Sequence, residues 1–212
     1  VMCLGRGGLV GEDGVTHHGV FDMAAFGAVP GLTIAAPMNE PELRNMMYTA
    51  LGSGHPFMIR YPRGHGEGLP WRGEKFETLP VGRGRRLREG ADVALLTVGT
   101  VGNAAARAAG RAAAEGVSVA HYDLRFVKPL DEALLDEVGR KFRRVVTVED
   151  GSLRGGVGEA VAAFFNGRGY DVRVQRLGIG DEWVEHGTPG QLYALCGYDE
   201  EGILRALLDT RA

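Results

Sequence analysis

Between Gly11 and Asp22 the chain reads GEDGVTHHGVFD, so an aspartate and two adjacent histidines share one glycine-punctuated turn. An imidazole with its ordinary pKa of about 6.5 is the natural carrier of a proton at neutral pH. On chemistry alone two readings of His17 and His18 stand level. One is a proton shuttle at a strand end; the other is a histidine hydrogen-bonded to the short helical run VFDMAAF that follows. Asp13 and Thr16 lie in the same loop, and in α/β folds such strand ends are where ligands bind. Cations stand at other strand ends. Arg63, in IRYPRG, follows Pro62, which fixes the backbone and aims a planar, permanently charged fork outward. That fork suits a phosphate or carboxylate, and equally an interdomain salt bridge. Arg6, in GRGG, is a second cation of the same kind, set between glycines.

Other features have plainer readings. Arg83, Arg85, Arg86 and Arg88 alternate along VGRGRRLR, the pattern of a charged, solvated edge strand. GGVGEA (155–160) is neither GxGxxG nor a P-loop, and a tight turn into a helix accounts for its glycines. His186, in EHGTPG, precedes a helix cap and reads as structural.

The elements that must position these residues follow from periodicity. Up to Gly64, a strand LTIAAP (32–37), a helix and a strand PFMIRYP (56–62) form a βαβ unit, which implies a parallel sheet. In the helix Asn39 caps, Glu42 closes a capping box, and Leu43, Met46, Met47 and Ala50 form the apolar face. Residues 65–80 carry glycine, proline and charge without a period and read as an interdomain linker. Beyond them strands DVALLTVG, VSVAHYDL, RVVTVED and DVRVQRLG alternate with helices, among them 101–115 and 131–142. Two short C-terminal helices follow, one opened by Thr188-Pro189-Gly190-Gln191. This is a doubly wound α/β pattern. The apolar start VMCL reads as a strand cut from a longer chain.

Composition sets bounds. A chain of 212 residues, 44% hydrophobic and 24% charged, buries a real core. A net charge of −3 gives no basic field for nucleic acid, and no apolar run approaches a membrane span. Cys3 and Cys196 lie far apart without a CxxC partner, which suits a cytoplasmic setting and supplies neither disulfide framework nor zinc site. The 34 glycines fall between apolar runs, where turns are needed.

These motifs, in order, carry a resemblance. GLVGEDGVTHHGVFD, APMNEPELRNMMYTAL and IRYPRG closely resemble the second domain of the 1-deoxy-D-xylulose-5-phosphate synthases. VALLTVGTVGNAA, DLRFVKPLD and VVTVEDGSLRGGVGEAV resemble their C-terminal domain, which transketolases and 2-oxoacid dehydrogenase β chains share. The resemblance covers nearly the whole chain. It implies an α/β architecture: the C-terminal part of a pyrimidine-binding domain at 1–64, a linker at 65–80 and a transketolase C-terminal-like domain at 81–212.

It also implies a carboligase dependent on thiamine diphosphate and Mg2+, cytoplasmic and homodimeric at full length. That enzyme joins pyruvate to D-glyceraldehyde 3-phosphate, giving 1-deoxy-D-xylulose 5-phosphate and CO2 for isoprenoid, thiamine and pyridoxal synthesis. Carried over by position, Arg6 and Arg63 hold the aldehyde's phosphate, Asp13 its hydroxyls, His17 handles the proton, and His18 is a neighbour. Two positions depart from the family pattern. Gly5 stands where an aspartate usually precedes the first arginine, and His65 where asparagine commonly follows YPRG. The family's diphosphate- and magnesium-binding motif does not occur here, so no cofactor or metal ligand is assigned, and the chain alone is expected to be inactive. Competing readings are the C-terminal subunit of a split transketolase and a non-catalytic assembly module. The THHG and YPRG pairing favours the synthase, and the set Arg6, Asp13, His17 and Arg63 argues against the module.

Overall fold

The computed structural model describes residues 1–209, which form two sheets. In the first, β1 (Met2–Leu4), β3 (Phe57–Arg60) and β2 (Thr33–Ala35) lie side by side in that order, all parallel. Helix α1 (Asp22–Gly27) and helix α2 (Glu40–Gly52) connect them. Asn39 is extended, and its side chain accepts the Glu42 N–H at 3.1 Å, as the sequence suggests. The capping box does not close. Glu42 instead accepts the Met38 N–H at 2.7 Å and turns its other oxygen inward to two arginines. The helical face also differs by one position. Met46, Thr49 and Ala50 are buried, whereas Met47, rotated about 100° from Met46, is exposed.

The second sheet holds β4 (Arg85–Arg88), β5 (Val93–Val98), β6 (Val119–Asp123), β8 (Arg144–Ser152) and β9 (Arg173–Ile179) in the order β4-β6-β5-β8-β9. All its pairs are parallel except that of the edge strand β4. Its central strands are apolar runs buried on both faces, as parallel strands require. Helices α3 (Val101–Ala114), α6 (Pro189–Leu195) and α7 (Glu200–Leu208) pack on one face. Helices α4 (Glu132–Lys141) and α5 (Val157–Gly167) pack on the other. Both capping atoms expected at Thr188 and Gln191 are in place.

Periodicity did not foretell two features. Strand β7 (Phe126–Lys128) leaves the second block and adds antiparallel to β2 of the first sheet, placing Phe126 in that sheet's core. The turn is made at Arg125, whose backbone is left-handed (φ 58°). Residues 65–80 have no helix or strand, yet they are strapped along α2 rather than loose. The Arg44 guanidinium donates to the Glu74 carbonyl, and Phe76 stacks on Tyr48 with centroids 5.1 Å apart. Leu79 is buried, and its N–H donates to Thr49 Oγ1 at 2.8 Å.

The arginine run divides in two. Arg83 and Arg86 are surface groups paired with Asp131, Glu89 and Glu137, as an edge strand predicts. Arg85 is instead half-buried between Glu42 and Asp123. No helix among the described residues is long and apolar enough to cross a membrane.

Candidate active site

The loop between β1 and α1 begins with a backbone that few side chains adopt. Arg6 has φ 63°, and the loop then closes on itself through paired bonds between Gly8 and Gly19 at 2.8 and 2.9 Å. Gly19 has to be glycine, since a Cβ there would lie 2.1 Å from the Arg6 carbonyl oxygen. The crossing leaves the Arg6 side chain about half exposed. Arg63, just after β3, comes up beside it.

Three of the residues singled out from sequence meet here. Both arginines address one carboxylate oxygen: Arg6 Nη1 lies 3.4 Å from Asp13 Oδ2, and Arg63 Nη1 bonds the same atom. All three side chains are solvent-accessible, the arginines 47% and 49% exposed and Asp13 31%. Two guanidiniums sharing one carboxylate leave a net positive charge facing water. An incoming phosphate could meet both forks.

The two histidines separate. His17 is exposed, its N–H donates to the Gly14 carbonyl at 3.0 Å, and Nδ1 lies 3.0 Å from Thr16 Oγ1. His18 is half-buried and tied down. Its Nδ1 accepts the Val10 N–H at 3.1 Å, and Nε2 reaches the Glu185 carbonyl at 3.5 Å, a set that places its proton on Nε2. His186 lies near Gly14, where an added Cβ would come within 3.4 Å of the histidine's own Cβ. Beside Arg63 opens a cleft of about 710 Å³, bordered by His65, Asn39, Tyr61, Asn103 and Arg107. Arg6, Asp13 and His17 are outside that cleft's lining.

Sequence reasoning passed over the residues that hold this loop. Arg60 is buried, with Nε 2.7 Å from Asp22 Oδ2 and Nη2 bonded to the carbonyls of Asp150 (2.9 Å) and Gly19 (3.3 Å). Asp150 Oδ1 accepts the Leu9 N–H at 3.0 Å. Burial pushes the Asp150 carboxyl above the usual aspartate range, opposed by Arg60, the Leu9 N–H and the hydroxyls of Tyr198 and Tyr193. The available signal was a charge inside an apolar strand: Arg60 in FMIR and Asp150 in VVTVED.

A diphosphate cofactor with its metal needs carboxylate or imidazole ligands and a free cradle of backbone N–H groups. Among the described residues no group of three or more His, Cys, Asp or Glu side chains can hold a metal ion. The glycine-rich entry to α5 is filled from within. Glu149 accepts the N–H groups of Val157 (2.7 Å) and Gly158 (2.8 Å), leaving no cradle for a diphosphate. Burial raises that carboxyl to about 7, against those two bonds. The glycine-rich entry to α5 is therefore not a diphosphate site.

A small parallel sheet with a cationic loop, joined to a doubly wound α/β module, is a transketolase-type arrangement. The transketolase pyrimidine binding domain matches residues 1–67 and the transketolase C-terminal domain residues 82–203, so the chain belongs to the transketolase family. Within it, the chain is similar to curated 1-deoxy-D-xylulose-5-phosphate synthases. Those of Bacteroides fragilis and Parabacteroides distasonis are 56% and 50% identical over 100% and 98% of this chain. That of Symbiobacterium thermophilum is 45% identical over 95%. The chain spans about a third of each relative, 33%, 33% and 31% respectively. A solved split-gene transketolase, titled an inactive beta4 tetramer, superposes with a TM-score of 0.80 at 27% identity. That match covers 97% of this chain and 63% of the other.

Proposed function

We propose that this chain supplies the aldehyde-binding and proton-handling side of a carboligase that joins pyruvate to D-glyceraldehyde 3-phosphate, releasing CO2 and forming 1-deoxy-D-xylulose 5-phosphate. The observation that carries the proposal is the pair of exposed guanidiniums on one carboxylate, with an exposed imidazole four residues beyond it. The aldehyde's phosphate takes the place of part of Asp13's hold on Arg6 and Arg63. Asp13, so released, accepts a bond from a hydroxyl of the substrate. His17 delivers a proton to the aldehyde oxygen as the new carbon–carbon bond forms. Thiamine diphosphate with Mg2+ would be held by parts of the enzyme beyond this third of its relatives' length, and would supply the two-carbon nucleophile. The same reading gives a homodimer in the cytoplasm, with 1–64 and 81–212 as separate domains joined by 65–80.

The test is a pair of histidine variants in the complete enzyme. General acid–base help is worth about 10²–10⁴-fold, so His17→Ala loses that order of turnover. His18→Ala keeps most of it, provided circular dichroism reports both variants folded. A larger loss at His18 overturns the assignment. A second reading has support from the split-gene neighbour: the chain is one subunit of a two-chain transketolase. Pyruvate-dependent CO2 release by the assembled enzyme separates the two.

A further inference from the structure

Asp150 sits at the carboxyl end of β8, at the point where the second sheet changes direction between β5 and β8. In doubly wound folds the crevice at that point is where a ligand enters. Here the first module's loop fills it instead: Leu9 and Val20 share a core with residues of β5, β8 and α3. Gly8, at φ 87°, lies directly on the carboxylate, and a Cβ there would be 1.9 Å from Asp150 Oδ2.

The partners of the carboxylate point to one task. Oδ1 accepts the Leu9 N–H (3.0 Å) and the Tyr198 hydroxyl (2.8 Å), and Oδ2 accepts the Tyr193 hydroxyl (3.3 Å). One side of the carboxylate is thus the loop, and the other is a pair of tyrosines from α6 and the turn after it. Arg60 closes the arrangement from behind, on the Asp150 carbonyl. A buried ionisable group is a poor source of stability, because desolvation offsets what its bonds return. What this group does return is the register of Gly8 and Leu9, between Arg6 on one side and Asp13 and His17 on the other.

We infer that Asp150, seated by Tyr193 and Tyr198, is a positioning residue through which the C-terminal module fixes the loop bearing Arg6, Asp13 and His17. The inference rests on the reading of that loop as the aldehyde site. Asp150 touches no substrate. It acts through the Leu9 amide.

The experiment uses the complete enzyme with Asp150→Ala, Asp150→Asn and Tyr198→Phe. Val138→Ala, in the core on the opposite face of the sheet, controls for lost stability. Hydrogen exchange is followed without substrate in peptides covering 7–19, and KM is measured for glyceraldehyde 3-phosphate beside the rate of pyruvate decarboxylation. A reacting group displaced by about 1 Å costs on the order of 10²-fold, so Asp150→Ala raises the aldehyde KM about 10–100-fold and affects decarboxylation less. Exchange in 7–19 accelerates about tenfold beyond the control, the sign of a local opening. Asp150→Asn restores most of both, since its amide oxygen still accepts the Leu9 N–H. Should Asp150→Ala fail to fold, Tyr198→Phe gives the same pattern at reduced size. Exchange that rises equally throughout the protein overturns the positioning role. So does faster loop exchange with an unchanged KM, or Asp150→Asn as impaired as Asp150→Ala. An unchanged aldehyde KM in Arg63→Ala is a different failure: it removes the aldehyde assignment itself.

Discussion

The molecule contains two arginine–carboxylate clusters of similar make-up and opposite setting. At the surface, Arg6 and Arg63 share Asp13. Between the two sheets, Arg85 and Arg125 share Glu42, and Arg85 also holds Asp123, with distances of 2.7 to 3.1 Å. Each cluster includes an arginine with a left-handed backbone, Arg6 at φ 63° and Arg125 at φ 58°, the only such non-glycine residues among those described. The inner cluster balances two cations with two carboxylates whose side chains are 3% and 0% exposed. The outer one leaves a cation in excess, with its arginines 47% and 49% exposed and its carboxylate 31%. Equal residue types therefore sit differently: the inner cluster, with both its carboxylates buried, joins α2, β4, β6 and the start of β7, whereas the outer one carries an excess cation on two half-exposed arginines.

Stability separates the two most sharply. Removing one partner of a buried pair strands a charge and costs about 3–5 kcal/mol. Arg125→Met is expected near the lower end, because Arg85 still lies 3.1 Å from Glu42. Arg63→Met removes a solvent-screened pair and costs no more than about 1 kcal/mol. Urea unfolding of the two variants measures this directly, and equal losses would break the comparison.

The second contrast is in pH. His121, on the same face of β6 as Asp123, is buried with Nε2 2.9 Å from Thr97 Oγ1. Burial lowers its pKa to about 4, with Arg85 and Arg88 adding to the effect. The unfolded imidazole takes up its proton first, at about 6.5. Stability from this group is therefore complete above that pH and is lost as pH falls toward 4. A shift of this size corresponds to roughly 3 kcal/mol at the acid end. Asp123 works in the opposite sense, since burial beside Glu42 raises its pKa and costs stability as pH rises. His121→Gln should flatten the acid side of the stability curve, seen as a smaller fall in Tm between pH 6.5 and 4. An unaltered curve would mean that the inner cluster's surroundings are wetter than their packing implies.

Much of the outer cluster was legible in the sequence, and almost none of the inner one. GRGG, GEDG and YPRG are short loop motifs in which a proline or glycine lies close to each charged side chain. Helix starts at Asn39 and Thr188 were legible for the same reason, since a cap acts within three residues. Glu42, Arg85, Asp123 and Arg125 form their cluster through contacts between elements far apart in the chain, which leave no trace in local period. β7 was hidden likewise. Three residues show no alternation, and its partner β2 lies some ninety positions earlier. Asp150 and Arg60 announced themselves only as charges in apolar strands, a sign that says a partner exists without saying which.

The smallest effect sharpens the comparison most, because it concerns the anion that the outer cluster already contains. Asp13→Asn removes the charge that both guanidiniums face and keeps the shape. If that carboxylate held the loop together, Arg6 would relax from its left-handed backbone and stability would fall by several kcal/mol. The bonds on the page say otherwise. Gly7 N–H to the Tyr61 carbonyl (2.9 Å), the Gly8–Gly19 pair and Leu9 N–H to Asp150 hold the loop on either side of Arg6 without Asp13. The variant should therefore unfold within about 1 kcal/mol of the parent, the range of exposed pairs. Two unneutralised guanidiniums then face solvent, and inorganic phosphate should raise the Tm of Asp13→Asn more than that of the parent. Chloride at equal ionic strength should not, because screening acts on both alike while a bidentate oxyanion acts on the forks. Thermal melts across a phosphate series decide the matter. Equal phosphate responses in parent and variant would show that Arg6 and Arg63 do not converge on a common anion, and the outer cluster would then be a surface ion pair and nothing more.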